Sequence, residues 1–286
     1  MILGMCGHAG LWAATDVEKI PADLIIPAVT DHAPAPGLRV RQFHESYKGT
    51  EVHHILYLPT DWVKGKKYPV IVEYAGNQWK DYPGTVEGCH LGYGISGGKG
   101  VIWICLPFVD VKNQRNATTW WGDVPATVEY CQQTVKRTCE EFGGDASKVY
   151  LAGFSRGAIA CHYIGLHNDE IASLWRGFVC HSHYDGVRSW GYPESDRASA
   201  LVRLKRLGNR PQFISQERSI DATKAYLASV DPQGNHTFLA LPFENHTDTW
   251  VLRDLPERKV LRDWFQKTLE DQACCLIIRA HPKVPE

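Results

Sequence analysis

The chain has 286 residues, of which 44% are hydrophobic and 22% charged, and its formal net charge is −1. This composition is that of an ordinary soluble globular protein and excludes extensive disorder. No basic block provides the electrostatic footprint of a nucleic-acid-binding protein. No apolar run reaches the length of a membrane span, so neither nucleic acid nor membrane is expected as a partner.

Residues 1–37 are predicted to form an N-terminal extension. Residues 1–14 are apolar and rich in small residues, but no Lys or Arg precedes Lys19, so the basic region of an export signal is absent. Four prolines between residues 15 and 37 indicate an extended segment. The pattern leaves the location open between the cytoplasm and export with a truncated signal.

Residues 38–270 read as one domain of strands alternating with helices, followed by a tail over 271–286. A hairpin is predicted first, from residues 38–43 and 51–58. Short apolar strands then alternate with segments of helical periodicity. The strands are predicted at 69–74, 100–106, 148–152, 177–181, 212–215 and 236–241, and the helices at 124–142, 158–166, 195–208, 221–229 and 258–269.

This alternation predicts an α/β fold with a mostly parallel central sheet and helices on both faces. Parallel strands are covered on both sides, which fits their continuous apolar runs. The hairpin would supply an antiparallel N-terminal edge. The stretch between the predicted strands at 177–181 and 212–215 is short and holds one helix, so no large cap domain is expected.

The segment 153–157 reads Gly-Phe-Ser-Arg-Gly and matches the pattern G-x-S-x-G. It follows a predicted strand and opens a predicted helix, which is the context of a nucleophile elbow. Such a turn lifts the serine hydroxyl above the sheet edge, and the helix N-terminus places positive partial charge near a developing oxyanion. Ser155 is therefore the candidate nucleophile; the alternative is a tight turn with a capping serine.

A serine nucleophile needs a base and an acid that orients it, and both are expected in loops after the last strands. His246 follows the last predicted strand and is the candidate base; the alternative is a surface histidine. Asp221 is the first choice for the acid, although Asp is also favoured as a helix N-cap. Glu217 is the second choice and Asp185 the third.

An oxyanion hole needs two N–H groups. We expect the backbone of Arg156, directly after the nucleophile, to supply one. The loop after the strand at 69–74 would supply the other from Asn77, since Gly76 lets that backbone approach closely. The Arg156 side chain has two readings: contact with an anionic substrate group, or a solvated residue at a helix start.

Several aromatic residues fall in loops at the carboxyl ends of the predicted strands, where open α/β folds bind ligands. The candidates for substrate binding are Trp79, Trp120, Trp121 and Tyr184, with Trp190 nearby. An aromatic rim would suit an aryl, sugar-linked or polyester substrate. The alternative is that these rings pack the loops onto the body of the protein.

Two segments resemble known enzymes. Residues 58–72 look like the lead-in to the oxyanion strand of secreted-type esterases, and residues 145–155 look like their run into the nucleophile elbow. Over residues 38–270 the chain resembles α/β-hydrolase superfamily serine esterases, in particular the feruloyl/acetylxylan esterase and polyhydroxyalkanoate depolymerase-like group. The resemblance implies the chain order Ser-Asp-His and acyl transfer to water with no cofactor. The chain departs from the group at residues 75–77, which replace the usual His-Gly, and in an acid loop that lacks Gly-x-x-Asp.

The sequence therefore predicts a serine hydrolase that cleaves carboxylic esters through an acyl-enzyme on Ser155. A serine peptidase of the same fold is an alternative, although such enzymes usually carry an added N-terminal domain for which this chain has no room. A non-catalytic binding protein that kept the fold is another. The expected partner is a small-molecule or polymer-linked ester, bound by a monomer or small homo-oligomer.

No metal site is predicted. The nine cysteines lack metal-type spacing and are expected to be mostly buried, reduced thiols. Asn-x-Thr sequons at Asn116, Asn235 and Asn245 matter only if a eukaryotic host exports the chain.

Overall fold

The structure is a computed structural model that describes residues 16–271. Eleven strands and seven α-helices form within this range. The strands are β1 (Val29–Thr30), β2 (Arg39–Gln42), β3 (His54–Tyr57), β4 (Tyr68–Tyr74), β5 (Ile102–Leu106), β6 (Val109–Asp110), β7 (Arg115–Asn116), β8 (Gly144–Phe154), β9 (Gly177–His181), β10 (Gln212–Glu217) and β11 (His236–Leu241). The helices are α1 (Leu91–Ser96), α2 (Val124–Glu141), α3 (Arg156–Tyr163), α4 (Asp169–Ala172), α5 (Arg197–Leu204), α6 (Asp221–Val230) and α7 (Pro256–Glu270).

Nine strands form one sheet in the order β1-β2-β3-β5-β4-β8-β9-β10-β11. The pairs β2–β3 and β3–β5 are antiparallel and the others are parallel, so β3 alone runs against the other eight strands. The prediction of a mostly parallel sheet with an antiparallel N-terminal hairpin is confirmed. The short β1 adds outside that hairpin, and β6 and β7 form a separate hairpin after β5.

The central strands bury both of their faces, which explains their unbroken apolar runs. In β4, Val70 and Val72 belong to the core layer that α2 and α3 cover. Ile71, between them, belongs to the opposite layer, which α1 and α7 cover. The sheet is therefore the middle of three layers, as the alternation of strands and helices predicts.

The carboxyl ends of the central parallel strands meet at one edge of the sheet. Tyr74 at the end of β4 pairs with Gly153 near the end of β8. Phe154 at the end of β8 pairs with His181 at the end of β9. Glu217 ends β10 beside the end of β11. The chain that follows each strand therefore enters the same region.

The described part of the predicted N-terminal extension folds onto the domain. Val17 is buried, and its N–H donates to Asn245 Oδ1 at 3.0 Å. Asn245 Nδ2 in turn donates to Asp16 Oδ1 at 2.9 Å. Asp23 accepts two hydrogen bonds from Arg258 at 2.7 and 2.8 Å. Residues 16–23 are thus fastened to the loop between β11 and α7 and to α7 itself.

The six cysteines between residues 16 and 271 are free thiols, and five of them are buried. Cys6, Cys274 and Cys275 lie outside the described residues. Within the described range, no helix has the length and apolar character needed to span a bilayer.

Candidate active site

Ser155 occupies the turn between β8 and α3 with a φ of 53°, a conformation that costs a non-glycine residue energy. The glycines on either side are sterically required. A Cβ on Gly157 would lie 1.9 Å from the carbonyl oxygen of Tyr74, and one on Gly153 would lie 2.1 Å from the backbone of Gly157. The G-x-S-x-G spacing is therefore set by close backbone packing.

The structure brings the two predicted residues Ser155 and His246 together. Nε2 of His246 lies 3.1 Å from Oγ of Ser155. The other ring nitrogen, Nδ1, lies 3.1 Å from Oε1 of Glu217. This linear arrangement of hydroxyl, imidazole and carboxylate has the geometry of a Ser-His-acid triad.

Glu217, and not Asp221, is the carboxylate that meets the histidine. Asp221 is exposed at the first position of α6, where its Oδ2 accepts a hydrogen bond from Ser219 Oγ at 2.8 Å. β10 ends at residue 217, two residues beyond the predicted end at 215, so Glu217 belongs to the strand and not to the loop after it. Glu217 therefore lies at the sheet edge as the last residue of β10, and no residue of the following loop is required to reach His246.

Asp185, the third choice, is occupied elsewhere. Its carboxylate is buried and accepts two hydrogen bonds from Arg203, at 2.8 and 3.2 Å. The ion pair connects the loop after β9 to α5.

Ser182 is a member of this site that the sequence did not reveal. It directly follows β9 with a φ of 80°. Its Oγ donates to the carboxylate of Glu217, at 2.8 and 2.9 Å from the two oxygens, and lies 2.9 Å from Nδ1 of His246. The hydroxyl proton can point to Glu217 while a lone pair faces the N–H of the imidazole, so Ser182 touches both groups.

The carboxylate of Glu217 is held in its charged form. Burial would raise its pKa, but the hydrogen bond with His246 and the electrostatic influence of His181 oppose this, and the pKa falls to about 2. Glu217 is therefore ionised at neutral pH, as an acid that stabilises an imidazolium must be.

The residues after the candidate base are anchored from the buried side. The carbonyl of Thr247 lies 3.0 Å from His181 Nε2, and Asp248 Oδ1 lies 2.7 Å from His90 Nδ1. Glu73, a charged residue within an apolar strand, accepts three backbone N–H bonds at the start of α1, at 2.8 to 3.0 Å. The contacts of Thr247 and Asp248 hold the loop that carries His246.

One buried group of possible metal ligands occurs among residues 16–271: the carboxylate of Glu73 with the thiols of Cys89 and Cys105, within 4.8 Å of one another. The Glu73 oxygens already accept the three N–H groups of α1 and the indole N–H of Trp103, at 2.8 Å. Hydrogen bonds therefore satisfy this carboxylate, and its chemistry does not call for an ion.

The two predicted oxyanion donors lie at this edge of the sheet. The N–H of Arg156 is in the first turn of α3, where the first bond back to Ser155 O comes from Ala158, at 3.0 Å. Such first-turn N–H groups have no acceptor inside their helix. Asn77 follows β4 by three residues, and its Oδ1 accepts the Trp120 N–H at 2.7 Å.

The side chain of Arg156 fits neither sequence-based reading, because only 1% of it is exposed. It points into the protein, beneath the loops around the site, so it is neither solvated nor open to a substrate. Burial lowers its pKa to about 9, which leaves the guanidinium charged at neutral pH.

The predicted aromatic rim divides into buried and accessible residues. Trp121 stacks on Tyr163 with ring centroids 4.5 Å apart, and only 4% of Trp121 is exposed. Tyr184 is also buried, and its hydroxyl donates to Gln212 Oε1 at 3.0 Å. These two residues pack the core and do not line a rim. Trp79 is 67% exposed.

Trp120 belongs to a row of rings that starts at the candidate base. His183 lies 5.5 Å from His246, Trp190 lies 5.2 Å from His183, and Trp120 lies 5.7 Å from Trp190, measured between ring centroids. We call these three residues, His183, Trp190 and Trp120, the aromatic row. Burial and the neighbouring His246 lower the pKa of His183 to about 4, so it adds a neutral ring.

No family model matches the chain, and no curated protein matches it. Solved structures do. A thermostable esterase is similar with a TM-score of 0.52 and 12% identity over 80% of this chain and 62% of that one. A protein named FAE has a TM-score of 0.55 and 16% identity over 89% of this chain and 98% of that one. A putative dipeptidyl aminopeptidase IV from Bacteroides ovatus has a TM-score of 0.54 and 18% identity over 80% of this chain and 36% of that one.

The chain thus spans less than two thirds of the length of the thermostable esterase and of the peptidase. At these identities the likeness is one of fold. Together with the sheet order and the elbow at Ser155, it shows that this chain has the α/β-hydrolase fold.

Proposed function

We propose that the protein is a serine hydrolase that cleaves carboxylic esters. The observation that carries the proposal is the line of contacts from Ser155 Oγ to His246 Nε2 and from His246 Nδ1 to Glu217, at 3.1 Å each. A hydroxyl in contact with an imidazole that a carboxylate orients is the arrangement used for acyl transfer.

In the proposed reaction, Ser155 Oγ bonds to the ester carbonyl carbon while His246 Nε2 accepts the hydroxyl proton. The tetrahedral intermediate then collapses, the bond to the alcohol oxygen breaks, and His246 returns the proton to the leaving alkoxide. Water attacks the acyl-enzyme by the same route and releases the carboxylic acid. Glu217 stabilises the imidazolium in both halves, the role the sequence assigned to Asp221.

We assign the oxyanion hole to the backbone N–H groups of Arg156 and Asn77. The positive end of α3 supports this assignment, because its first-turn N–H groups and its dipole favour negative charge. Small-molecule and polymer-linked esters are the expected substrate class. The aromatic row, which begins with His183 beside His246, favours esters whose acyl or alcohol part carries a planar ring, since ring pairs at such distances gain from stacking.

The test is hydrolysis of p-nitrophenyl acetate, butyrate, octanoate and feruloyl esters by the wild type and by Ser155→Ala. Loss of the nucleophile is expected to lower turnover on the order of a thousandfold or more. Trp190→Ala should raise KM for the feruloyl ester more than for the acetate.

The other outcomes are equally informative. If wild type and Ser155→Ala turn over esters at the same rate, the nucleophile lies elsewhere and the proposal is wrong. If both are inert towards esters, aminoacyl p-nitroanilides become the next substrates, because a putative peptidase shares the fold. Inertness towards both classes would leave a binding protein that retained the fold.

A further inference from the structure

The guanidinium of Arg156 is hydrogen-bonded to the main chain of two loops at once. It donates to backbone carbonyls of the segment between β4 and α1 and of the loop between β7 and α2. The acceptors and distances are Ala75 O at 3.4 Å, Gly76 O at 2.8 Å, Gly84 O at 3.1 Å, Ala117 O at 3.2 Å and Trp120 O at 2.7 Å.

This buried cation has no carboxylate partner between residues 16 and 271. Its guanidinium lies 4.1 Å from the ring centroid of Phe108, and carbonyl dipoles supply its remaining contacts. Burying an arginine without a counter-ion is costly, and a well-packed apolar side chain often replaces a buried charge without loss of stability. The arrangement therefore suggests a use beyond stability.

The bond to Gly76 has a geometric consequence for the next residue. A peptide group is planar and trans, so its C=O and N–H point in opposite directions. Because Arg156 Nη2 holds the Gly76 carbonyl at 2.8 Å, it fixes the plane of the Gly76–Asn77 peptide and turns the Asn77 N–H away from the guanidinium.

Asn77 is held from a second side by the same guanidinium. Its Oδ1 accepts the N–H of Trp120 at 2.7 Å, and the carbonyl of Trp120 accepts from Arg156 Nη1, also at 2.7 Å. The fork shape of arginine allows this, because its five donors lie in fixed directions in one plane. Lysine has no such fork.

We propose that the Arg156 side chain is a positioning residue that aims the Asn77 N–H into the oxyanion hole. The residue after the nucleophile then serves twice: its own N–H is one donor, and its side chain orients the other. This inference rests on the ester hydrolase function proposed above.

The experiment compares Arg156→Met with Arg176→Met. Arg176 is a matched control because it is also a buried arginine that donates to backbone carbonyls, those of Thr268 and Asp271, away from the site. Each variant is examined by circular dichroism, by thermal unfolding, and by kcat and KM with p-nitrophenyl butyrate.

Two ketone inhibitors separate positioning from a general loss of structure. A trifluoromethyl ketone forms a tetrahedral adduct in which Ser155 Oγ bonds to the ketone carbon, His246 takes the proton and the oxyanion occupies the hole. The methyl ketone of the same chain length binds without this adduct. The first inhibitor therefore reports on the hole and the second on the cleft.

For Arg156→Met we expect kcat to fall by about 10- to 100-fold, below the full effect of deleting an oxyanion donor, with KM nearly unchanged. The Ki of the trifluoromethyl ketone should rise by the same factor, and that of the methyl ketone should stay constant. Arg176→Met should lower the melting temperature but keep kcat and both Ki values.

Equal kinetics for Arg156→Met and Arg176→Met in an active enzyme would overturn the positioning role while leaving the ester hydrolase intact. A wild-type protein that hydrolyses no ester would contradict both the positioning role and the ester hydrolase function. If Arg156→Met does not fold, Arg156→Lys against Arg176→Lys gives the same comparison. The lysine at 156 keeps the charge but cannot bond to all five carbonyls of the two loops, so its kcat should still fall.

Discussion

Ser182 and His246 are in direct contact: Ser182 Oγ lies 2.9 Å from the Nδ1 of His246 while it donates to the carboxylate of Glu217. The imidazole N–H therefore faces two acceptors on neighbouring strand ends. The φ of 80° is unfavourable for a serine. The backbone is therefore strained at the residue that contacts both His246 and Glu217.

Ser182→Ala is expected to lower kcat/KM about tenfold, the effect of losing roughly 1.4 kcal/mol of transition-state stabilisation. Ser182→Gly is the matched control, because it also removes the hydroxyl but relieves the strain at this φ. Both variants should lose similar activity, and the glycine variant should unfold at the higher temperature. Full activity in either would show that the hydroxyl does not orient His246. Steady-state kinetics and thermal unfolding measure both effects.

The position of Ser182 also predicts that the acid can be moved. Glu217→Gln should lower kcat on the order of a thousandfold or more. Adding Ser182→Asp to that variant should recover at least about tenfold of the loss, because a carboxylate at 182 would face His246 Nδ1, and Asp tolerates a positive φ. Asp221→Asn should leave kcat within about twofold of wild type, given its exposed place at the start of α6. A large loss of kcat in Asp221→Asn would indicate that Asp221 is the acid.

Acid stability should depend on Glu217. Its pKa is lowered from 4.5 to about 2, so its stabilising contribution is present above pH 4.5 and is lost as the pH falls through 2. At 1.36 kcal/mol for each pKa unit, the contribution at neutral pH is about 3 kcal/mol. Urea unfolding of wild type and Glu217→Gln should differ by about this amount at pH 6 and converge near pH 2. A constant difference across this range would contradict the lowered pKa.

Gly157→Ala should destabilise the fold by about 3 kcal/mol, because the added Cβ would lie 1.9 Å from the Tyr74 carbonyl oxygen. Gly191→Ala is the control: no atom lies within 4 Å of a Cβ built there, and stability should change by less than about 0.5 kcal/mol. Denaturant midpoints test this. Equal midpoints for the two variants would show that the elbow can relax.

The sheet and the elbow at Ser155 could be predicted because they follow from local rules, and His246 could be predicted because it follows the last strand. Apolar strands mark the parallel sheet, and the elbow needs glycines at fixed positions. The sequence favours Asp221 over Glu217 as the acid because the predicted strand ends at residue 215, two residues early, which places Asp221 at about the usual loop length beyond the strand and Glu217 nearer to it. Ser182 and His181 gave no signal, since their role depends on the alignment of β9 with β8, β10 and the histidine loop.

Other errors arose from tertiary packing. Trp121 and Tyr184 lie in loops near the site, but their rings turn inward. The exposure of a single loop side chain cannot be predicted from a sequence pattern. Helix α1 was not predicted because its six residues contain two glycines, which disfavour a helix. It forms because Glu73 binds its first N–H groups and because Gly94 allows close contact with Val251.

The contact between Asn245 and the N-terminal segment bears on how the protein should be produced. Asn245-His246-Thr247 is a glycosylation sequon, and the nitrogen that a glycan would modify is the one that donates to Asp16 at 2.9 Å. A eukaryotic secretory host could therefore attach a bulky sugar chain beside His246 and break this attachment. Protein made in a bacterial cytosol would keep both the contact and an open approach to the histidine.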